Sequence, residues 1–159
     1  MAIKQQRFLE SYLETLSDTQ RAEIGNITFE HFCADEYNAN ECAKLINQNI
    51  KRASCSLKAG YDIEGVPLPK AGDLTVVLDW AQNPVCIIRI DKVETSAFNQ
   101  VSEEFAALEG EGDQTLEWWK NAHMNFFKGY AEHIGAEFTP DSILVLEYFN
   151  KVFPLEEVA

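Results

Sequence analysis

Asn47-Gln48-Asn49-Ile50-Lys51-Arg52-Ala53-Ser54-Cys55-Ser56-Leu57-Lys58 is where the hydrophobic period of this chain changes. Leading into it, Ala39, Cys42, Ala43, Ile46 and Ile50 recur every third or fourth residue, the stripe of an amphipathic helix. Within it, Ala53, Cys55 and Leu57 alternate with Ser54, Ser56 and Lys58, the pattern of a half-buried strand. A helix therefore runs into a strand with Lys51 at the bend. Two cations and two hydroxyls fall within residues 51–56 of a chain whose net charge is −13.

Working outward, Phe8, Leu9, Tyr12, Leu13 and Leu16 share one helical face in residues 3–16, and Ser17 with Gln20 forms a capping box for a second short helix. Residues 27–33 are expected to form a short strand, and Asn38 with Glu41 to cap the helix that leads to Lys51. Gly65, Pro67, Pro69 and Gly72 mark residues 60–73 as a loop. Residues 74–79 and 85–95 read as strands joined at Gln82-Asn83-Pro84, a hairpin. A short helix over 101–109 ends at Gly110-Glu111-Gly112, and Asp113 is a candidate cap for the next one. That helix carries Leu116, Trp119, His123, Phe126, Phe127, Tyr130 and Ile134 on its apolar stripe, with Trp118 off it. Residues 143–153 form a closing strand before Pro154. Strands do not alternate regularly with crossover helices, so the expected class is α+β with a small mixed sheet or barrel. The expected organisation is a single domain over 1–159, with a helical extension over 1–26 and a barrel core over 27–154.

The charge excludes some functions. A surface at −13 repels a phosphate backbone, so extended duplex nucleic acid is a poor partner, whereas one nucleotide or one splayed base remains compatible. No apolar run has the length of a membrane span, and the first ten residues lack the apolar centre of a secretory signal; the cytoplasm is the expected location. Cys33, Cys42, Cys55 and Cys86 are widely spaced and sit in apolar-periodic segments, which favours reduced thiols. His31, His123, His133 and these cysteines show no zinc-ligand spacing, so neither metal nor cofactor is expected.

Three groups of residues carry potential chemistry. Partial burial would lower the pKa of Lys51 and free its amine to activate the Ser54 or Ser56 hydroxyl, or a water. The alternative is a surface lysine at a helix C-terminus, where a cation is favoured electrostatically. Glu109, Glu111 and Asp113, separated by two glycines, offer a carboxylate to pair with Lys51, or else a solvated helix end. His123 beside Trp119 and Phe127 is either a packed core histidine or a pocket residue. Trp118 is either a packing residue or a platform for a base.

These residues resemble a known family. Asn49-Ile50-Lys51-Arg52-Ala53-Ser54-Cys55-Ser56 is similar to the G-x-K-x-x-T-x-[RS] signature of ASCH domains, and further segments match the bacterial stand-alone branch. They are Glu64-Gly-Val-Pro-Leu-Pro-Lys-Ala-Gly-Asp73, Pro84-Val-Cys86, the run from Val101 to Asp113, Trp119-Lys-Asn-Ala-His123 and Phe126-Phe127. The resemblance covers residues from about Phe29 to Pro154. It implies a PUA-like small mixed β-barrel flanked by helices, with a cleft at its mouth that takes a nucleoside or single-stranded RNA. Some single-domain members remove the acetyl group of acetylcytidine and others are described as ribonucleases. In the deacetylating members a lysine, a threonine and a glutamate act. Their positions here are Lys51 as base, Ser54 as nucleophile or water-positioning hydroxyl, and Glu109, with Glu111 the alternative because the loop is longer. Ser56, Tyr61, Glu111, Trp118, Trp119 and His123 are the candidate substrate contacts. The motif glycine is Asn49, which tolerates positive φ, and serine retains the threonine hydroxyl. The expected function is a small hydrolase acting on a modified nucleoside or on RNA. The alternatives are a non-catalytic RNA- or nucleotide-binding module and an interaction protein with a vestigial pocket.

Overall fold

A computed structural model describes residues 2–155. Five strands form one mixed sheet in the order β1-β3-β4-β5-β2. They are β1 (Ile27–Glu30), β2 (Ala53–Leu57), β3 (Leu74–Leu78), β4 (Pro84–Ala97) and β5 (Ile143–Phe153). β1 runs parallel to β3 and the other pairings are antiparallel. The long central strands β4 and β5 pair from Ile87↔Phe153 to Ala97↔Ile143, with register shifts at Ile87/Ile88 and Ile90/Lys92. The sheet is a half-barrel with β1 and β2 at its edges, a PUA-like α+β fold.

Helices cover both faces, and β3 shows why. Leu74, Val76 and Leu78 pack with Leu9 and Tyr12 of α1 (Ile3–Leu13), while Val77 joins Ala43 and Ile46 of α3 (Glu36–Asn47). All five β3 residues are buried. That is what a strand covered on both sides requires. The N-terminal helix is thus packed onto the sheet, followed by α2 (Asp18–Ala22) with its capping box on Ser17 and Gln20. A third cluster lies between β2, β5, α5 (Glu103–Glu109) and α6 (Leu116–Ile134), built on Phe98, Phe105, Trp119, Phe127 and Leu144.

Several local expectations are corrected. The α3 N-cap is Asp35, which accepts from the Asn38 N–H and side-chain amide; Asn38 is the capped residue. The first strand stops at Glu30 and leaves 31–35 as a loop. Residues 58–64 form a helix, α4 (Lys58–Glu64), inside and ahead of the predicted loop. Two turns containing a glycine give little periodic signal. Thr115 caps α6 through the Trp118 N–H, and Asp113 instead accepts from the Thr115 N–H and hydroxyl. The hairpin and β5 lie where the sequence places them. Among the described residues no helix is long and apolar enough to cross a membrane.

Candidate functional site

The helix-to-strand bend is a Schellman motif. Asn49 adopts φ 62°, its N–H donates to the Ile46 carbonyl (3.0 Å), and the Ile50 N–H donates to the Leu45 carbonyl (2.9 Å). The chain then turns inward, so Lys51 is buried although its sequence neighbours Ile50 and Arg52 are exposed. A second helix end meets it there. The Arg52 N–H donates to the Leu108 carbonyl (2.7 Å), which clamps the end of α5 against residue 52. Gly110 has φ 70°, and a Cβ on it would lie 2.8 Å from the Ile50 carbonyl oxygen. Gly110→Ala adds both left-handed strain and a backbone collision. It is expected to cost roughly 1–3 kcal/mol, read as a lowered midpoint in urea unfolding.

These two helix ends bring Lys51 and Glu109 together. The Lys51 ammonium donates to Glu109 Oε1 (2.8 Å), Glu111 Oε2 (3.0 Å) and the Glu109 carbonyl (3.3 Å). Glu109 is as buried as Lys51, at 2 % exposure each. Its Oε2 accepts from Trp119 Nε1 (2.6 Å) and Cys55 Sγ (3.2 Å) and lies 3.3 Å from His123 Nε2. His123 Nδ1 sits 2.9 Å from the Trp119 carbonyl, and the two rings stack with centroids 4.4 Å apart. Glu109 is therefore gripped on both oxygens by donors from β2, α6 and the Lys51 bend.

The protonation balance differs from the expectation that burial frees the lysine amine. Burial does act in that direction, but the Glu109 and Glu111 carboxylates outweigh it and hold Lys51 well above its ordinary value. Burial likewise pushes the Glu109 carboxyl up, and the Lys51 charge, His123 and the hydrogen bonds from Lys51 and Trp119 bring it below its ordinary value. The resting site is an ammonium–carboxylate pair.

These groups line a cleft of about 310 Å³ together with Ser54, Cys55, Glu111, Trp118, His123 and Phe126. Among the described residues Ser54 makes no side-chain hydrogen bond to protein, which leaves its hydroxyl free for a ligand or water. Trp118, Ala122 and Phe126 follow one another at i, i+4 and i+8 along α6 and present one wall. Trp118 is 37 % exposed and Phe126 50 %. Gly112, at φ 60°, lets the loop backbone pass against the Trp118 indole, where any side chain would collide with the ring. The opposite wall is the loop Phe32–Asp35 with Asn38 of α3.

Three of the candidate substrate contacts are elsewhere. Trp119 is 1 % exposed, with Phe98 stacked at 5.3 Å, so it cannot take a base; its indole N–H holds Glu109 instead. Ser56 and Tyr61 bond to each other (2.9 Å), and Tyr61 lines a different cavity with Glu30, Asp73 and Glu147. Ser56 lies two residues beyond Ser54, which carries it past the cleft floor. Burial, with Glu30 and Asp73 nearby, pushes the Glu147 carboxyl in that second cavity up to about 7. The sequence reading missed Phe126 and the 32–35 loop as cleft residues. The spacing of Trp118 and Phe126 was a usable signal for the first; the loop carried none. Two trios offer metal-ligand atoms within 4.8 Å of one another, Cys33/Cys42/Glu111 and Cys55/Glu109/His123. In the second, Glu109 Oε2 already accepts two hydrogen bonds from protein.

This half-barrel is the architecture of a defined domain class. A family profile described as the ASCH domain matches residues 28–153, and the chain belongs to that family. Among solved structures, the ASCH domain from Lactobacillus crispatus JV V101 is 48% identical, covers 96% of each chain and superposes with a TM-score of 0.92. A protein from Enterococcus faecalis V583 is 31% identical over 92% of this chain and 89% of its own, with a TM-score of 0.78. No curated protein matches significantly.

Proposed function

We propose that the cleft binds a nucleoside or the unpaired end of an RNA strand and hydrolyses an acetyl amide on the base, as in acetylcytidine. The observation that carries this reading is that the buried Lys51–Glu109 pair lines one cleft with Ser54 and the exposed Trp118. ASCH domains are in general RNA-binding, which fits a base-sized cleft with aromatic walls. The net charge of −13 favours a short ligand over a duplex.

The chemistry follows from the charges. Trp118 and Phe126 hold the base, and the amide carbonyl points toward Lys51. Ser54 positions the attacking water, whose oxygen bonds to the carbonyl carbon as its proton passes to Glu109. The ammonium stabilises the oxyanion that forms, the role a preorganised cation serves best in a site closed to water. The C–N bond then breaks as Glu109 passes that proton to the leaving nitrogen, which departs as the free amine, and the acetic acid formed gives up its proton to solvent and leaves as acetate. Glu109 is thus the base and Lys51 the electrostatic partner, with Glu111 holding the lysine from the other side.

Calorimetric titration with acetylcytidine tests the ligand class. Wild type is expected to bind the nucleoside and to show no comparable affinity for a long RNA duplex. Trp118→Ala is expected to weaken binding by about 1–3 kcal/mol, and Trp118→Phe to restore most of it. Tight duplex binding, or indifference to Trp118→Ala, would count against the assignment.

A further inference from the structure

Beside the lysine–glutamate pair lie two thiols that the proposed hydrolysis does not use. Cys33 sits on the exposed loop that forms one wall of the cleft, in a left-handed conformation at φ 69°. Cys42 is buried on α3, and its Sγ lies 3.2 Å from that of Cys33 and 3.5 Å from Glu111 Oε1. Reactive thiols need access, a stabilised thiolate and a second thiol in reach, and each is present here. Cys33 faces solvent. The hydrogen bond with Cys42 lowers its pKa against the opposing effects of burial and of the Glu111 and Asp35 carboxylates, and the Lys51 charge adds to the lowering. Cys42 is held as the protonated thiol by that same hydrogen bond, by burial and by Glu111.

We propose that Cys33 and Cys42 are a hydroperoxide-reactive thiol pair, with Cys33 the attacking sulfur and Cys42 the resolving one. The Cys33 thiolate attacks the terminal oxygen of a hydroperoxide. The O–O bond breaks, sulfur is oxidised by two electrons to the sulfenic acid, and the peroxide is reduced, to water when it is hydrogen peroxide. Cys42 then loses its proton and its sulfur bonds to that of Cys33. The sulfenic oxygen leaves as hydroxide and takes up that proton as a second water. Two thiols and one hydrogen peroxide thus give one disulfide and two waters. The disulfide ties the 31–35 loop to α3 and removes the one thiol hydrogen of Cys42, whose sulfur lies 3.5 Å from Glu111 Oε1, so the modified residues border the Lys51 site directly.

The test is a peptide map of the full chain after brief exposure to hydrogen peroxide. No Lys or Arg lies between the two cysteines, so one tryptic peptide, residues 22–44, carries both. It is expected to lose two hydrogens and to resist alkylation, while Cys55 and Cys86 stay alkylatable. The same crosslink should form at least about tenfold faster in the native protein than in urea, the margin expected when two groups are held in contact. In Cys42→Ser, Cys33 should stop at the sulfenic acid and be trapped by a 1,3-diketone. Two alkylatable thiols in that peptide, oxygen addition at Cys33 without a crosslink in wild type, or equal rates in native and urea-unfolded protein would overturn the proposal. The outcome does not depend on which ligand the cleft takes.

Discussion

Replacing Lys51 with methionine is expected to destabilise the protein by about 3–5 kcal/mol near neutral pH, because it strands the buried Glu109 carboxylate without its cation. For a chain of this size that is a fall of roughly 10 °C in the unfolding midpoint. The loss should depend on pH in a specific direction. Glu109 titrates below its ordinary value of 4.5 in the folded protein, so its contribution is present above that value and fades as pH falls through the lower folded one. Lys51 titrates above its ordinary 10.5, so its contribution is complete below 10.5 and fades only as pH rises through the higher folded value. In Lys51→Met, burial pushes the Glu109 carboxyl upward, so it takes a proton at a higher pH than in wild type. The gap between wild type and variant should therefore narrow on acidification. Adding Glu109→Gln to Lys51→Met should recover about 2 kcal/mol, since a neutral amide needs no counter-charge. Urea unfolding of wild type, Lys51→Met, Glu109→Gln and the double variant at several pH values checks this. A pH-independent loss, or strictly additive effects, would show that the two charges do not act as a pair.

The second large effect is on turnover. Glu109→Gln keeps the shape of the side chain and an acceptor for the Trp119 indole, but it removes the proposed base. Hydrolysis is expected to fall by about 10²–10⁴-fold with little change in ligand affinity, the signature of a group needed in the transition state. Glu111→Gln should have a much smaller effect. Among the described residues, Glu111 is partly exposed and its carboxylate reaches only the lysine and Cys42, whereas Glu109 is held by Lys51, Cys55 and Trp119. This pair of variants decides between the two carboxylates that the long Gly110 loop leaves open in the sequence.

What was legible in the sequence follows the strength of each local signal. The change of period at residues 47–58 marked the helix, the bend and β2, because one buried face imposes each period. Asn49 at the bend is compatible with the positive φ that the structure shows. β5 and the β3–β4 hairpin were equally plain from β-branched runs bounded by turn residues. α4 was not, since its glycine and its two-turn length gave the pattern of a loop; Gly60 is there because a Cβ would lie 2.5 Å from the Tyr130 hydroxyl oxygen. The Asp35 cap was missed because Asp35 and Asn38 both suit the role, and only the fold decides between them.

In the site, the convergence of Lys51, Ser54 and Glu109 on one cleft was anticipated by the resemblance, not by spacing. Two helix ends separated by more than fifty residues cannot be seen to meet in a one-dimensional pattern. The charge state of Lys51 was misjudged for the same reason. Burial could be guessed from sequence, but the two carboxylates that reverse its effect come from the far end of α5. Trp118 and Trp119 keep the places that the stripe gives them, the one off it exposed and the one on it buried. The buried ring is the positioning residue for Glu109, and the exposed one is free to stack.

The most direct measurement of the central claim is release of cytidine and acetate from acetylcytidine by the intact protein, followed side by side for wild type and Glu109→Gln at a pH where both are folded. The account predicts turnover by wild type and a rate lower by at least about a hundredfold in the variant. No turnover by wild type, or equal rates in the two, would contradict it.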